Sequence, residues 1–286
     1  MMTHIFHPNQ PWYIILQWIY FMAVVLLWQA TLSPTLASES YRERIEYYFD
    51  REGVVDNMPL YGLSNSEAVT QTEKGVRIQI KQTDDYSMST GVIAPVKLEG
   101  NFQVTAKFKI LSLPAPPGGY GAGASIVIEI DDGSYVSFQR VKQADGRQIL
   151  VAHKALAKQF SSERIHDTTE LESSDLAGTM RLTRIGSTIR YEYSTEDTPN
   201  HFTLVRETNV PTDKINHIRL TAQNGEIQTN VEVEWNYFEI KADKIIEQQE
   251  NSPDTVPHTF SVVGWTAWGC IPILLVVIFM FPRIHD

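Results

Sequence analysis

The chain has 286 residues and a formal net charge of −10 at pH 7. Such an acidic balance repels phosphate backbones, which excludes nucleic acid as an expected partner. The single cysteine, Cys270, excludes a disulfide framework and a cysteine-based metal site.

The N-terminal segment carries no Lys, Arg, Asp or Glu before Glu39. The stretch from Trp12 to Trp28 is apolar except for Gln17, and the small residues of Thr35-Leu36-Ala37 follow it. This order is typical of a secretory signal peptide and its cleavage site. We therefore predict a signal peptide over residues 1–37, with an uncleaved N-terminal membrane anchor as the alternative, and a polar linker over residues 38–46.

Residues 47–243 consist of short segments in which apolar and polar residues alternate, separated by Gly, Asn and Asp. The clearest segment runs from Phe102 to Ile110, with every second residue apolar. This period of two predicts strands with one buried face, about ten to twelve in number, and no long helix. A change of phase between Val233 and Phe238 predicts a bulge near Trp235-Asn236.

The stretch from Pro116 to Arg140 predicts a β-hairpin. An apolar run from Ala124 to Ile130 leads into the turn residues Asp131-Asp132-Gly133, and a second strand follows. Glu129 and Asp131 lie two residues apart, so they share a face if both belong to the strand. Farther on, residues 154–178 are rich in charge and in Ser and Thr, and are interpreted as a long loop.

The C-terminal end predicts attachment to a membrane. Residues 244–258 are polar and contain two prolines, which indicates a stalk. The uncharged segment from Phe260 to Phe281 is long enough to span a bilayer, so we predict a transmembrane helix over residues 259–282 and a short tail over 283–286. The expected location is the cell membrane, single-pass with the body outside the cytoplasm, or two-pass if the N-terminal segment is retained.

Two stretches, GTMRLTRIGSTIRYEYS at residues 178–194 and EWNYFEIKAD at residues 234–243, resemble the concanavalin A-like lectin/glucanase superfamily. In particular they resemble bacterial membrane-anchored envelope proteins of unknown function built on that jelly roll. The resemblance implies an all-β fold, a two-sheet antiparallel jelly-roll sandwich, here between an N-terminal apolar signal helix and a C-terminal transmembrane helix. Members of the superfamily include lectins, laminin G-like modules and laminarinase-type glycosidases.

The laminarinase-type motif resembles Glu-x-Asp-x-x-Glu, or the same with one residue fewer after the Asp, and its last Glu is the acid/base. Glu129 and Asp131 match its first two positions, but Gly133 and Ser134 stand where the last Glu belongs. A retaining glycosidase needs both a nucleophile and an acid/base carboxyl. We therefore predict that the chain is not an enzyme and has no catalytic residues.

Aromatic side chains offer sugars an apolar surface with a polar tip. The predicted ligand-binding residues are Tyr120, Glu129, Asp131, Tyr135 and Trp235. By contrast, core packing is favoured for Tyr191, Tyr193 and Phe238.

No cofactor and no metal site are predicted. A calcium site that uses Asp131, Asp132 and Asp243 is the alternative, because Ca²⁺ prefers carboxylate oxygens. The body histidines His153, His166, His201 and His217 lack the i, i+4 spacing of a zinc helix.

The sequence thus predicts a membrane-anchored, non-catalytic envelope binding module. Its expected partner is a glycan or a neighbouring envelope protein, with membrane contact through Phe260 to Phe281. Two alternatives stay open at this point: a diverged glycoside hydrolase of laminarinase type, and a purely structural or assembly protein. The sequence leaves the ligand and the oligomeric state open.

Overall fold

The computed structural model describes residues 41–62, 66–81, 89–158, 161–225 and 229–248. All of them belong to one compact unit that ends at Gln248. The described chain forms fifteen β-strands and two short 3-10 helices, Val55–Asn57 and Ser66–Ala68. The strands are β1 (Glu43–Tyr48), β2 (Leu60–Tyr61), β3 (Val69–Thr72), β4 (Gly75–Ile80), β5 (Ser89–Ile93), β6 (Val96–Ser112), β7 (Ala122–Ile130), β8 (Tyr135–Lys142), β9 (Gln148–Ala157), β10 (Arg164–Glu172), β11 (Ala177–Ile185), β12 (Thr188–Thr195), β13 (Thr203–Asn209), β14 (Ile215–Gln223) and β15 (Val231–Glu247).

The strands form two antiparallel layers. The first sheet has the order β10-β9-β8-β7-β14-β5-β2, and the second has the order β13-β12-β11-β6-β15. Along its far side β15 pairs with both β1 and β4, and β3 pairs with β4. The two layers continue into each other where Ile215 of β14 pairs with Leu98 of β6. The all-β sandwich that the sequence predicted is therefore confirmed.

The core lies between the layers and follows from the alternation in the strands. In β6 the side chains of Phe102, Val104 and Phe108 are buried, whereas Lys107 and Lys109 point outward and are exposed. Facing them, the core residues of β7 and β14 are almost wholly aliphatic. Burial of apolar surface contributes about 25 cal/mol per Å², so this pattern fixes which face of each strand turns inward.

The predicted bulge in the last strand is confirmed. The register between β15 and β6 shifts between Trp235 and Tyr237, which places Trp235 and Phe238 on the same buried side. One extra residue reverses the phase of a strand, and this accounts for the change seen in the sequence.

The prediction of a long loop over residues 154–178 is wrong. β9 continues to Ala157, and β10 spans Arg164–Glu172 and pairs with β9 along its whole length. Because β10 is the edge strand of its sheet, nearly all of its residues are exposed. An edge strand with charged residues on both faces has the composition of a loop, which explains the error.

The predicted hairpin is confirmed as β7 and β8, but Asp131 is not part of the strand. The turn closes where the Ile130 amide donates to the Ser134 carbonyl at 2.8 Å and the Gly133 amide donates to the Ile130 carbonyl at 2.9 Å. Gly133 has φ 83°, a conformation that favours glycine. The expectation that Glu129 and Asp131 lie together on one strand face is therefore corrected.

The sandwich is longer than the predicted span of residues 47–243. β1 begins at Glu43, inside the predicted linker, and β15 continues to Glu247, inside the predicted stalk. The predicted signal peptide or anchor and the predicted transmembrane segment lie outside the described residues. Among the residues that are described, no helix has the length and hydrophobicity needed to cross a membrane.

Candidate glycan-binding face

The first sheet carries polar side chains on the surface that faces away from the core. Cross-strand pairing places Glu129 between Tyr135 and His217, and Ser137 beside His153. Because paired residues point to the same side of a sheet, one surface gathers residues from six strands. We call it the polar face, and it consists of Tyr61, Ser125, Glu129, Tyr135, Ser137, Gln139, His153, Arg164, His166, His217, Arg219, Thr221 and Gln223.

The floor of the polar face is made of small residues. Ser125, Ser137 and Thr221 are buried, and the Thr221 hydroxyl donates to the Ser125 carbonyl at 3.3 Å. Around this floor stand longer side chains that are only half-buried, among them Tyr61 and Tyr135. The small floor residues and the taller tyrosines beside them form a shallow, open groove.

Arg219 is the charged centre of this groove. One of its terminal nitrogens lies 3.3 Å from a carboxylate oxygen of Glu129, and its guanidinium lies 4.4 Å from the centroid of the Tyr61 ring. The residue is only 6% exposed. Glu129 and Tyr61 therefore hold the guanidinium in one orientation through an ion pair and a cation–π contact.

Tyr135 begins a row of rings that crosses to the edge of the sheet. Its ring lies 5.4 Å from that of His153, which stacks on His166 at 5.3 Å. His153 Nε2 lies 3.1 Å from His166 Nδ1, and its Nδ1 lies 3.4 Å from the Ser137 hydroxyl. Burial, aided by His166 and Arg206, lowers the pKa of His153 to about 4, so this imidazole is neutral at pH 7.

The electrostatics of Tyr135 show which groups surround it. Burial raises the pKa of its phenol, the guanidinium groups of Arg164 and Arg219 lower it, and the phenols of Tyr120 and Tyr61 raise it further. All four groups therefore lie within electrostatic range of Tyr135. The guanidinium carbon of Arg164 lies 5.6 Å from the Tyr135 ring centroid, and its Nε donates to the Gly133 carbonyl at 3.0 Å.

A row of amide groups extends the polar face along the groove. Gln223 Nε2 donates to Gln139 Oε1 at 2.7 Å, and Gln139 Nε2 donates to the Ser137 hydroxyl at 2.8 Å. Each amide keeps further donor and acceptor capacity in addition to these bonds. Planar amides next to rings provide hydrogen bonds for hydroxyl groups at fixed positions.

The structure brings together three of the five predicted ligand-binding residues. Glu129 pairs with Arg219 and lies opposite Tyr135, and Tyr120, which is 64% exposed, is within electrostatic range of the Tyr135 phenol. Asp131 lies beyond the end of β7, where its carboxylate accepts a hydrogen bond from the Asn216 amide at 2.8 Å. It belongs to the turn and not to the groove.

The prediction that Trp235 binds a ligand is corrected. Its side chain is fully buried in the core, with its ring centroid 5.9 Å from that of Phe108. The bulge in β15 turns this residue inward, so it has no surface for a ligand. Core packing of Tyr191, Tyr193 and Phe238 is confirmed.

The carboxylates considered for calcium serve three different local structures. Asp132 accepts hydrogen bonds from the backbone amide and the hydroxyl of Ser134. Asp243 accepts one from the backbone amide of Asn101 at 2.8 Å. Within the described ranges, no three His, Cys, Asp or Glu side chains gather in the way a metal ion requires. The His153–His166 pair supplies two imidazoles only.

The sequence interpretation missed Tyr61, Arg219 and the His153–His166 pair. For Arg219 a signal is present in the sequence, because the alternating apolar residues Ile218, Leu220 and Ala222 mark the buried side of a strand. The alternate residues of that strand necessarily form the opposite face. The histidine pair depends on β10, whose composition resembled a loop.

A separate depression of about 200 Å³ lies away from the polar face. It is lined by Ile110, Leu111, Ser112, Leu113, Lys142, Gln148, Ser174 and Leu176. This lining has no carboxylate and no aromatic ring. The polar face is an open groove, so the chemistry described above does not coincide with this depression.

Residues 29–258 match the family model described as "Protein of unknown function (DUF1583) C domain". The chain belongs to this family. No curated protein sequence matches the chain.

Solved structures resemble this family member in fold. It is similar to an endo-acting O-glycanase structure from the human gut microbiota, with a TM-score of 0.53, 11% identity, and coverage of 71% of this chain and 99% of that one. It is also similar to the κ-carrageenase of Pseudoalteromonas carrageenovora in complex with an oligotetrasaccharide, with a TM-score of 0.50, 10% identity, and coverage of 74% and 99%. A third similar structure is Bacteroides ovatus xyloglucan PUL GH43B, with a TM-score of 0.50 and 16% identity, where 73% of this chain spans 41% of the other. The chain thus shares the jelly-roll fold of these structures.

Proposed function

We propose that this DUF1583 C domain is a non-catalytic glycan-binding module and that the polar face is its binding site. The observation that carries the proposal is the groove itself, in which Tyr61 and Tyr135 lie beside the Arg219–Glu129 pair and the phenol of Tyr120 is within electrostatic range of Tyr135. A sugar ring has an apolar face that packs on tyrosine and an edge of hydroxyls that bond to amide, carboxylate and guanidinium groups. The groove offers both kinds of contact.

The arrangement of carboxylates favours binding over hydrolysis. Glycosidases place two carboxyl groups about 5–5.5 Å or 6.5–9.5 Å apart across the scissile bond. Glu129 lies at the centre of the polar face, whereas Asp131 is held in the turn by Asn216. The other acids of this surface, Glu170 and Glu172, lie on the edge strand, and Glu170 pairs with Arg147. In the described part of the chain, Glu129 is thus paired with Arg219 and not with a second carboxyl, which supports binding rather than hydrolysis.

The similar κ-carrageenase structure holds an oligosaccharide, which supports the choice of polysaccharides as the first probes. Sequence identities of 10–16% show only that the fold is shared, so they do not decide between binding and cleavage. A neighbouring envelope protein is the second candidate partner.

The proposed location is a cell membrane, with the body outside the cytoplasm and anchored through Phe260 to Phe281. This proposal rests on the uncharged length of that segment and on the apolar N-terminal segment. Reporter fusions after residue 258 and at the C-terminus test it. An extracytoplasmic signal from the first and a cytoplasmic signal from the second are expected, and the reverse would contradict the anchor.

The deciding experiment presents the full-length chain with a panel of soluble polysaccharides. Binding is measured by affinity electrophoresis, and cleavage is measured as newly formed reducing ends. We expect the natural chain to be retained on at least one polysaccharide, and we expect no reducing ends from the natural chain, from Glu129→Gln or from Asp131→Asn. Reducing ends that disappear in Glu129→Gln would instead support the diverged glycosidase, and the absence of both signals would favour a structural role.

A further inference from the structure

β10 leaves one edge of the first sheet open. It pairs with β9 over all nine of its residues without a shift of register, and no other described strand pairs with it. Lysine, proline and bulges, by which proteins commonly block an open edge, do not occur in β10. Two large apolar side chains of this strand, Ile165 and Leu171, are 54% and 44% exposed. Such a strand is a template on which another strand can pair.

The hydrogen bonds around β10 show which of its backbone groups face outward. Just beyond the two ends of the ladder, Glu163 and Ser173 are the residues that bond to the β9 side. In an antiparallel pair every second residue bonds to the same neighbour, so the odd-numbered residues of β10 bond to β9. The even-numbered residues, among them His166, Thr168 and Glu170, therefore point their amides and carbonyls away from β9.

The sequence of β10, RIHDTTELE, is complementary to itself when two copies run antiparallel. With Thr168 opposite Thr168 of a second copy, apolar residues lie opposite apolar ones and basic residues opposite acidic ones, in the pairs Ile165–Leu171, Arg164–Glu172 and His166–Glu170. Cross-strand pairs of both kinds stabilise a sheet. Moving the register by two residues places Asp167 opposite Asp167 in one direction and opposite Leu171 in the other, so the register centred on Thr168 is favoured.

The neighbouring edge strand, β13 (Thr203–Asn209), lacks this property. It lies beside β10 in the other layer, where Arg206 pairs with Asp167. Its pairing with β12 is interrupted by a shift of register, an irregularity that turns an edge away from a partner. Antiparallel pairing of two β13 strands about their midpoint would also place Val205 opposite Glu207. Self-complementarity is therefore a feature of β10 and not of both edges.

We propose that two copies of this chain associate through β10, antiparallel and centred on Thr168, so that their first sheets become one continuous sheet. The outward-facing residues of the two strands then form pairs that each exchange two backbone hydrogen bonds. The two-fold axis is perpendicular to the sheet, so the polar faces of both copies open to the same side. The association does not depend on glycan binding.

The backbone bonds and the contact between Ile165 and Leu171 contribute most to this interface. The charged pairs contribute less, because Arg164 already donates to the Gly133 carbonyl and Glu170 already pairs with Arg147. Exposed charges of opposite sign then serve mainly to fix the register.

The test measures self-association of the full-length chain in detergent, by energy transfer between copies that carry different fluorophores. Thr168 is exposed, so it can be changed without disturbing the core. Thr168→Lys places two ammonium groups opposite each other, and Thr168→Glu places two carboxylates there. Each variant alone should raise the dissociation constant roughly fivefold or more. An equal mixture of the two variants should associate as well as the natural chain.

A matched control and a crosslink locate the interface. Thr203→Lys changes an exposed threonine of β13 and should leave association unchanged. In the background Cys270→Ala, Thr168→Cys should form a disulfide-linked dimer, because directly opposite residues of such a pair have Cα atoms about 5.5 Å apart. Thr203→Cys in the same background should not.

Four results would overturn the inference. One is the absence of energy transfer for the natural chain up to about 100 µM. Another is association that neither Thr168 variant weakens, which would place the interface elsewhere, for example in the uncharged C-terminal segment. An equal loss in Thr203→Lys would show a general effect of charge. Failure of the mixed variants to recover, together with no disulfide dimer from Thr168→Cys, would contradict the register.

Discussion

The two outward surfaces of the sandwich differ in the arrangement of their charged side chains. The outer face of the second sheet carries ion pairs both within and between its strands, and it is formed by Arg44, Glu46, Tyr48, Thr105, Lys107, Arg190, Glu192, Tyr237, Glu239 and Lys241. Arg44 lies 2.7 Å from Glu46 and 2.5 Å from Glu239, and Lys241 lies 3.0 Å from Glu239. The polar face instead has a floor of small residues beside a single buried ion pair between Arg219 and Glu129. The outer face is thus covered by long, paired side chains, whereas the polar face has the low floor and the aromatic rim on which the proposed glycan site rests.

The largest effect on stability is expected from a mutation in the core, away from both surfaces. Trp235→Ala empties a fully buried site between the sheets and should lower the free energy of unfolding by about 3–5 kcal/mol. Trp235→Phe keeps most of the volume and should cost clearly less. Denaturant unfolding of the full chain measures both. If Trp235→Ala left the stability unchanged but abolished glycan binding, Trp235 would be a binding residue and the division between core and surface would be wrong.

The next largest effect is expected on glycan affinity when the rim tyrosines, Tyr61 and Tyr135, are removed. The double variant Tyr61→Ala/Tyr135→Ala should weaken glycan binding by at least about tenfold, because aromatic anchors dominate binding energy. Its matched control is Tyr48→Ala/Tyr237→Ala on the outer face, where the Tyr237 hydroxyl donates to Glu46 at 2.6 Å. Titration calorimetry of both variants gives the comparison. Equal losses on the two surfaces would remove the distinction between them.

A pH effect should be tied to the polar face. The pKa of His153 is about 4 in the folded chain and near 6.5 when unfolded, so the unfolded state binds more protons between these values. The free energy of unfolding should therefore fall as the pH drops from about 6.5 to 4, by on the order of 1–3 kcal/mol, and this contribution should be constant above pH 6.5. Burial also lowers the pKa of His217, which adds to the same trend.

The variant His153→Gln isolates this contribution. Thermal unfolding is followed between pH 4 and 7 for the natural chain and for the variant, and the natural chain should show the steeper loss. Lys154 and Asp167 lie on the neighbouring core-side positions and are unchanged in the comparison. Parallel curves for the two proteins would show that His153 does not contribute.

The smallest effect is expected on the outer face. Arg190 lies 3.2 Å from Glu207, and both side chains are largely exposed, so this pair should contribute about 0–0.5 kcal/mol. Arg190→Ala should therefore leave both the unfolding midpoint and glycan affinity almost unchanged. A loss of more than about 1 kcal/mol would mean that the ion pairs of this surface have a larger structural role than the comparison allows.

The sequence predicted the strands and turns in which one face is clearly buried. The strand from Phe102 to Ile110, the hairpin around Gly133 and the bulge near Trp235 were recognised because alternation and turn residues follow directly from one buried face. β10 (Arg164–Glu172) was missed because an edge strand buries few residues, so its sequence lacks the alternation of apolar and polar residues.

The candidate site was only partly predictable. Tyr120, Glu129 and Tyr135 belong to one stretch of chain, so local reasoning found them. Arg219 comes from a strand 90 residues away from Glu129, and only the pairing of β7 with β14 brings the two together. Trp235 was assigned to the wrong side because the position of a bulge decides which face a side chain takes, and sequence locates a bulge only approximately.

The most direct test of the account is hydroxyl-radical footprinting of the full-length chain with and without a bound polysaccharide. Both surfaces carry tyrosines that are at least partly exposed, so a single experiment reports on both. The account predicts that Tyr61, Tyr120 and Tyr135 become protected while Tyr48 and Tyr237 keep their reactivity. Protection of Tyr48 and Tyr237, with the polar-face tyrosines unchanged, would contradict it.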